Sequence, residues 1–188
     1  SVLAELIAER ERRNQIFTRA RVTDLTQYCR AGQPEGNLPR ILLLVDEYQE
    51  LFEGDKDGVA STLLLQLAQQ GRSAGIHMLL GSQRFGAPGM LNQTAIFGNI
   101  HLRMAMQMTT SDIQALTEFG RRGKQAIMHC DLPGKIVVND RSGDDSGNKE
   151  GKVAYLSGQQ RQQVIERLIE KAQNSTETLE VPATIVFD

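Results

Sequence analysis

The chain has 188 residues, a formal net charge of −2 at pH 7 and 40% hydrophobic residues, which suits one globular domain with a substantial core. The near-neutral balance argues against a dedicated basic nucleic-acid module, although it allows a basic patch on one face. No apolar run approaches the roughly 20 residues that a membrane-spanning helix needs. The charged, helix-patterned N-terminus does not resemble a signal peptide.

The positions of the cysteines and histidines argue against a disulfide-rich protein and against a metalloprotein. Cys29 and Cys130 lie far apart and have no neighbouring cysteines at metal-binding spacing, so we expect neither a disulfide framework nor a metal site. The scattered histidines His77, His101 and His129 also lack metal-ligand spacing, so we expect no metal site at these residues. A reducing, cytoplasmic location fits best, with the whole protein either free or membrane-anchored.

The first half of the chain predicts alternating helices and strands. Residues 1–19 have helical spacing of apolar side chains, and residues 31–37 form a Gly- and Pro-containing connector. The aliphatic run 41–45 predicts a strand buried on both faces, as in the centre of a parallel sheet. The elements that follow are a helix at 59–70, a strand at 76–80, a short helix or turn at 88–97, a strand at 99–108 and a helix at 112–119. This order predicts a parallel sheet with right-handed crossovers.

The last third of the chain has a different pattern. Short β segments at 126–130 and 135–138 flank a turn, and a charged, Gly-containing stretch at 139–152 predicts a mobile loop. A strand at 153–156 precedes a helix from a capping box at Ser157 and Gln160 to about residue 172. The apolar residues expected to face inward on this helix are Val164, Ile165, Leu168 and Ile169.

Two acids directly follow the aliphatic strand. Asp46 and Glu47 should lie at the carboxyl edge of the sheet, where open α/β sheets bind ligands. Proteins that hydrolyse nucleoside triphosphates use this arrangement, called Walker B, in which the Asp helps to hold Mg²⁺ and the Glu orients the attacking water. The alternative interpretation is a buried strand that simply ends in solvated charge.

The phosphate-binding half of such a site does not occur in these residues. The pattern GxxxxGK[ST] is absent, and residues 120–124 (GRRGK) match it only superficially, because the first Gly is misplaced and Gln125 stands where a hydroxyl residue is needed. We interpret 120–124 as a basic turn. Residues 1–188 alone are therefore expected to bind nucleotide weakly or not at all.

Two further residues are candidates for phosphate chemistry. Gln83 follows the second strand and could hydrogen-bond a γ-phosphate or the attacking water, or it could merely cap a strand end. Arg72 lies just beyond the helix at 59–70, and a planar guanidinium suits phosphate binding, for instance as an arginine finger reaching a neighbouring subunit. The alternative for Arg72 is a solvated residue at a helix C-terminus.

Together, these segments resemble the FtsK/SpoIIIE family of DNA-translocating ATPases. The resemblance rests on residues 38–51 (LPRILLLVDEYQEL), on 67–84 (LAQQGRSAGIHMLLGSQR), and on 9–13 (ERERR), which is similar to the family's Glu-Met-Glu-Arg-Arg helix. It covers most of residues 1–172. The sequence departs from the family at Phe85, where the family has Pro, in the long charged insert at 139–152, and in lacking a Walker A half and a visible winged-helix domain.

The resemblance implies a RecA-like P-loop NTPase fold of the α/β class, with a mostly parallel central sheet, helices on both faces and a C-terminal β-hairpin. It implies ATP and Mg²⁺ as cofactors, a hexameric ring, and double-stranded DNA as a partner bound without sequence preference. The implied roles are Walker B for Asp46 and Glu47, with Asp46 holding Mg²⁺ through water, sensor for Gln83, and trans-acting finger for Arg72. Candidate DNA contacts are Arg84, Arg121, Arg122 and Lys124.

The expected organisation is a C-terminal portion of a motor domain at 1–180, with 181–188 leading into a further domain. Two alternatives to a DNA translocase stay open. Relatives in type VII secretion and conjugation move protein or DNA, so the substrate could differ. A degenerate, non-hydrolysing scaffold is the third hypothesis, and the joint presence of both acids, the Gln and the Arg disfavours it.

Overall fold

The computed structural model describes residues 1–83, 89–116 and 118–174. The chain forms two compact units, Ser1–Lys152 and Val153–Asp188. The helices are α1 (Val2–Arg19), α2 (Leu25–Arg30), α3 (Val59–Gln70), α4 (Gln93–Gly98), α5 (Thr110–Ala115), α6 (Gly120–Met128) and α7 (Gly158–Gln173), with short 3₁₀ helices at Tyr48–Phe52 and Asp145–Gly147. The strands are β1 (Ile41–Val45), β2 (Ile76–Leu80), β3 (Arg103–Ala105), β4 (Lys135–Asn139) and β5 (Asn148–Lys152).

The first sheet consists of β1 and β2, which pair in parallel from Ile41 opposite Ile76 to Val45 opposite Leu80. One face of this sheet packs on the main core, which α1, α3, α4 and the 3₁₀ helix at 48–52 complete. Apolar side chains at alternate positions therefore go inward, as the period of two in a strand requires.

The other face of this sheet is open within the described residues. Leu42 and Leu44 of β1 and Leu79 of β2 are 60%, 65% and 54% exposed. The expectation that β1 is buried on both faces is therefore wrong, because helices cover only one side of the strand pair here. The aliphatic run identified the strand correctly but could not show which of its faces has a covering layer.

The second sheet is antiparallel, in the order β3–β4–β5. Arg103 lies opposite Asn139, and Lys135 lies opposite Lys152. The predicted third parallel strand at 99–108 is thus wrong: only Arg103–Ala105 is strand, and it joins the hairpin sheet instead of β1 and β2. Pairing partners lie far away in sequence, so alternation alone did not reveal the strand direction.

Helices α5 and α6 pack on this second sheet around Ile113, Phe119, Ile127 and Val137. Two expectations fail in this region. The predicted helix at 112–119 ends at Ala115, and the residues interpreted as a basic turn and a β segment form the continuous helix α6, Gly120–Met128. Buried Gly123 and Ile127, one turn apart, anchor α6 in the core, and this helical spacing outweighs the turn-like appearance of two glycines.

The charged stretch at 139–152 is built around one buried side chain. The Asn139 amide donates to the Asp144 carbonyl and to Asn148 Oδ1, both at 2.8 Å, while its oxygen accepts from the backbone N–H groups of Arg141 and Gly143. Residues 148–152 then form β5, so the loop prediction was wrong for them. Charge and glycine content suggested a loop because composition does not register a satisfied buried amide.

The second unit contains α7, whose predicted capping box is confirmed by reciprocal hydrogen bonds between Ser157 and Gln160. The preceding residues 153–156 are not a strand. Contrary to expectation, the apolar side chains of α7 are not buried, because no described element of this unit packs against them; they are Val164, Ile165, Leu168 and Ile169, 41% to 60% exposed. No helix in the described part of the chain is sufficiently long and apolar to span a membrane. The expected lead-in at 181–188 lies outside the described residues.

Candidate functional site

The carboxyl ends of β1 and β2 bring the two predicted polar segments together. Asp46 and Glu47 directly follow β1. Ser82 and Gln83 follow β2 after one intervening residue, Gly81. Gly81 connects them, because its N–H donates to the Val45 carbonyl at 2.8 Å and its carbonyl accepts from the Tyr48 N–H at 3.0 Å. The predicted adjacency of the acidic pair and Gln83 is therefore confirmed, and it follows from the parallel register.

Two donors converge on one oxygen of Glu47, and a hydroxyl group lies near the same oxygen. The Gln49 amide donates to Glu47 Oε2 at 2.6 Å, the Gln83 backbone N–H donates at 3.3 Å, and the Ser82 hydroxyl lies 3.5 Å away. The Gln49 hydrogen bond, followed by those from Gln83 and Ser82, holds the pKa of Glu47 below its ordinary value. Glu47 is thus an ionised carboxylate with a defined orientation.

The backbone of Glu47 is unusual. Its φ of 49° and ψ of 56° put it in the left-handed region, which non-glycine residues avoid because Cβ approaches the carbonyl oxygen. This conformation turns the chain from β1 into the 3₁₀ helix at 48–52, whose Tyr48 and Phe52 are buried in the core. Strain of this type persists where surrounding packing determines the backbone, and it is concentrated at functional sites.

Asp46 is exposed, and its Oδ1 accepts from the Glu47 N–H at 3.1 Å. The described residues contain no group of three or more His, Cys, Asp or Glu side chains that could hold a metal by themselves. Mg²⁺ is usually bound by one or two carboxylates together with waters and substrate phosphates. Asp46 beside Glu47 therefore fits Mg²⁺ held jointly with a nucleotide better than a closed protein metal site.

Arg72 lies at the opposite end of the same sheet. It is an exposed residue in the turn between α3 and β2, before the strand begins at Ile76. A five-residue strand at about 3.3 Å per residue spans roughly 16 Å, which separates Arg72 from the acids at the other edge. The structure thus brings Asp46, Glu47 and Gln83 together and leaves Arg72 apart.

The predicted basic contacts have different surroundings. Arg121 and Arg122 are exposed on the first turn of α6, whereas the Lys124 ammonium donates to the Gln114 carbonyl at 2.9 Å. Arg84 lies outside the described residues. The N-terminus of α6 is occupied by Asp145, which accepts from the Arg122 N–H at 3.2 Å, so a phosphate has no room in the place where a P-loop would bind it.

Two residues of the site, Gln49 and Ser82, were missed by sequence reasoning. Besides contacting Glu47, they bind each other, since the Ser82 hydroxyl donates to Gln49 Oε1 at 2.6 Å. The signal that could have found them is their position: each is a polar residue next to a strand end that already carried a candidate. Parallel strands place such neighbours at one edge of the sheet.

The chain is similar to known proteins both in sequence and in structure. No family model matches the chain. It is 29% identical over 139 residues to the ESX secretion system protein EccC of Geobacillus thermodenitrificans, covering 72% of this chain and 9% of the relative. It is 28% identical over 182 residues to the DNA translocase FtsK of Staphylococcus aureus, covering 91% of this chain and 22% of the relative.

Among solved structures, the pCW3 conjugation coupling protein TcpA in its monomer form with ATPγS superimposes with a TM-score of 0.69 at 20% identity. The match covers 92% of this chain and 48% of TcpA. At this identity the likeness establishes the fold, which is that of a P-loop ATPase domain.

The curated relatives indicate which kind of P-loop ATPase the chain resembles. The curated relatives are FtsK DNA translocases and ESX secretion proteins, so the chain is similar to FtsK/SpoIIIE-type P-loop ATPases, in agreement with the resemblance seen in the sequence. It spans about a tenth to a fifth of the length of the curated relatives that it matches, from 9% of EccC to 22% of FtsK.

Proposed function

We propose that this chain supplies the hydrolytic edge of an ATP-driven translocase that moves double-stranded DNA through a ring of subunits. The relatives are translocases and secretion ATPases of one family, and that likeness supports nucleotide-driven transport in general. The observation that carries the specific proposal is the Glu47 carboxylate, ionised and oriented by donors from both strand ends.

The residues divide the chemistry among them. Asp46 would help to hold Mg²⁺, and Mg²⁺ bound with ATP would supply a polarised phosphoryl group. Glu47 orients the attacking water and accepts its proton, which an ionised carboxylate can do. Gln83, whose N–H binds Glu47 at 3.3 Å, presents its side-chain amide at the same edge to sense the γ-phosphate.

Arg72 serves a different subunit. The roughly 16 Å between the two ends of β1 removes it from the acids of its own chain, whereas its exposure lets it face a neighbour. A guanidinium supplied in trans would stabilise the charge that develops on the transferring phosphoryl group. A ring is the simplest assembly in which each subunit both receives and donates such a residue.

The test is Glu47→Gln in the whole protein, with ATP binding and turnover measured separately. Gln keeps the size of the side chain but cannot accept a proton, so ATP should bind and turnover should fall by about 10²-fold or more. Glu50→Gln is the matched control, since Glu50 is an exposed acid of the same 3₁₀ turn. Wild-type turnover in Glu47→Gln would overturn the proposal. Asp46→Ala should also abolish turnover; an effect on stability alone would instead favour a non-hydrolysing scaffold.

A secretion or conjugation-type coupling ATPase is the second candidate. The observation that favours it is the set of relatives named as ESX secretion proteins, together with TcpA among the structural neighbours. Long duplex DNA should stimulate hydrolysis several-fold if DNA is the substrate, through Arg121 and Arg122 on α6. No stimulation by duplex, in a protein that hydrolyses ATP, would favour a protein substrate.

A further inference from the structure

The contacts around Glu47 contain two residues to which the proposed mechanism gives no role. Gln49 is half-buried in the 3₁₀ helix that follows β1, and Ser82, which follows β2 after Gly81, is also half-buried. Each contacts Glu47 Oε2, and they contact each other, so the three side chains form a closed triangle, with sides of 2.6, 2.6 and 3.5 Å. Such a triangle constrains a carboxylate more than a single hydrogen bond does.

Donor and acceptor chemistry determines the direction of each bond in this triangle. An ionised carboxylate only accepts, so the Gln49 nitrogen must face Glu47 and its oxygen must face away. That oxygen needs a donor, and the Ser82 hydroxyl supplies it at 2.6 Å. The reverse orientation of the Gln49 amide would set its oxygen against the Glu47 carboxylate. The Glu47 carboxylate therefore selects the amide orientation, and the Ser82 hydroxyl supports it by donating to the Gln49 oxygen that faces away from Glu47.

The triangle also links the two strand ends mechanically. Gln49 belongs to the segment after β1, whereas Ser82 is the residue before Gln83 after β2. A displacement of the β2 end would move the Ser82 hydroxyl relative to Gln49, the residue that donates to Glu47. Two of the three sides of the triangle end on Glu47 Oε2, the oxygen that also accepts from the Gln83 N–H.

We propose that Gln49 and Ser82 are positioning residues for ATP hydrolysis, which orient the Glu47 carboxylate through Oε2 and connect that orientation to the end of β2. This inference rests on the proposed function of Glu47. Residues that orient a functional side chain by hydrogen bonding to it commonly lower activity by about 10- to 100-fold when they are replaced.

The experiment uses Gln49→Met in the whole protein, since Met has nearly the length of Gln but cannot donate a hydrogen bond. We expect kcat to fall roughly 10- to 100-fold, while the KM for ATP and the thermal midpoint stay unchanged. Ser82→Ala should lower kcat less, and Ser82→Thr, which keeps the hydroxyl, should restore it. Glu50→Gln again serves as the control on the same turn.

A double mutant separates positioning from a general structural role. A residue that acts only through Glu47 has little effect once Glu47 is lost, so Gln49→Met should lower the residual single-turnover rate of Glu47→Gln less than twofold. Wild-type kcat in both Gln49→Met and Ser82→Ala would overturn this inference. If Glu47→Gln is nevertheless defective in turnover, the proposed function still stands. Multiplicative losses or a lowered thermal midpoint would also overturn the inference. Full turnover in Glu47→Gln would refute the proposed function itself.

Discussion

The two ends of the β1–β2 sheet both carry charged residues, yet they differ in how these residues are held. At the amino end, the Arg13 side chain is 2% exposed, binds Glu9 at 2.6 Å and donates to the carbonyls of Pro39 and Ala74, just before β1 and β2 begin. At the carboxyl end, Asp46 is exposed and Glu47 has a left-handed backbone.

This difference separates a charge that is held inside the fold from the charge to which the proposed function assigns the chemistry. Arg13 donates to the Pro39 carbonyl in a partly buried contact and to the Ala74 carbonyl in a buried one, and so it connects the starts of the two strands. Glu47 instead has donors on one oxygen at the open edge of the sheet. Packing fixes the position of a charged side chain inside the fold, whereas a charged side chain at the edge of the sheet can contact a ligand.

The largest expected effect on turnover comes from Arg72. This residue lies at the amino end of the sheet, as Arg13 does, but it is exposed. If it is a finger acting in trans, Arg72→Ala should lower turnover about 10³-fold or more without changing stability. Mixing Arg72→Ala subunits with Glu47→Gln subunits should recover part of the activity, since one interface then has both residues. Complete inactivity of every mixture, with ring assembly confirmed by light scattering, would contradict a trans role.

Arg13 should behave in the opposite way. Arg13→Met removes the donor from two carbonyls and the partner from Glu9, so the free energy of unfolding should fall by about 3 kcal/mol. Arg12→Met is the matched control: Arg12 binds the same Glu9 but is 55% exposed, and its loss should cost less than about 0.5 kcal/mol. Urea denaturation measures both. Equal losses in the two variants would mean that the buried carbonyl contacts contribute nothing.

The sequence predicted the two ends of the sheet unequally. The aliphatic run before Asp46 and the strand before Gln83 specified both strands and the carboxyl edge, because strand ends and polar residues are local features. Arg13 was seen only as part of a charged helix face. Its actual partners lie 26 and 61 positions away, a separation that no local pattern reports.

The second sheet shows the same limit from another side. Asn139 organises the charged turn through its buried side-chain amide, whereas the acids around it are exposed, and composition does not report this difference. The direction of β3 and the helical state of residues 120–128 likewise depend on which distant surface each segment covers. Tertiary contacts outweigh local propensity in such segments.

The backbone of Glu47 offers a smaller test of the carboxyl end. Replacing it with Gly relieves a left-handed conformation that costs about 1–2 kcal/mol, less the entropic cost of Gly, for a net gain in stability of about 0.5–1 kcal/mol. Turnover should be abolished. Arg21→Gly, at an exposed residue with a φ of 55°, should be similarly stabilising but leave turnover unchanged. Destabilisation of Glu47→Gly alone would mean that the hydrogen bonds to Glu47 outweigh its strain.

The smallest effect concerns pH at the amino end. Hydrogen bonding from Arg12 first, and then from Arg13, lowers the pKa of Glu9 from its ordinary value of 4.5, while partial burial opposes this shift. A carboxyl group whose folded-state pKa is depressed contributes stability above its unfolded pKa and loses it as the pH falls through the folded value. The wild type should therefore lose more stability than Glu9→Gln between pH 5 and the acid limit, by at most about 1 kcal/mol because Glu9 is partly solvated. Urea titrations at each pH measure this difference, with Glu5→Gln, at an exposed acid of the same helix, as the control. Parallel pH profiles for wild type and Glu9→Gln would show that the ion pairs of Glu9 do not contribute to holding Arg13 at the strand starts.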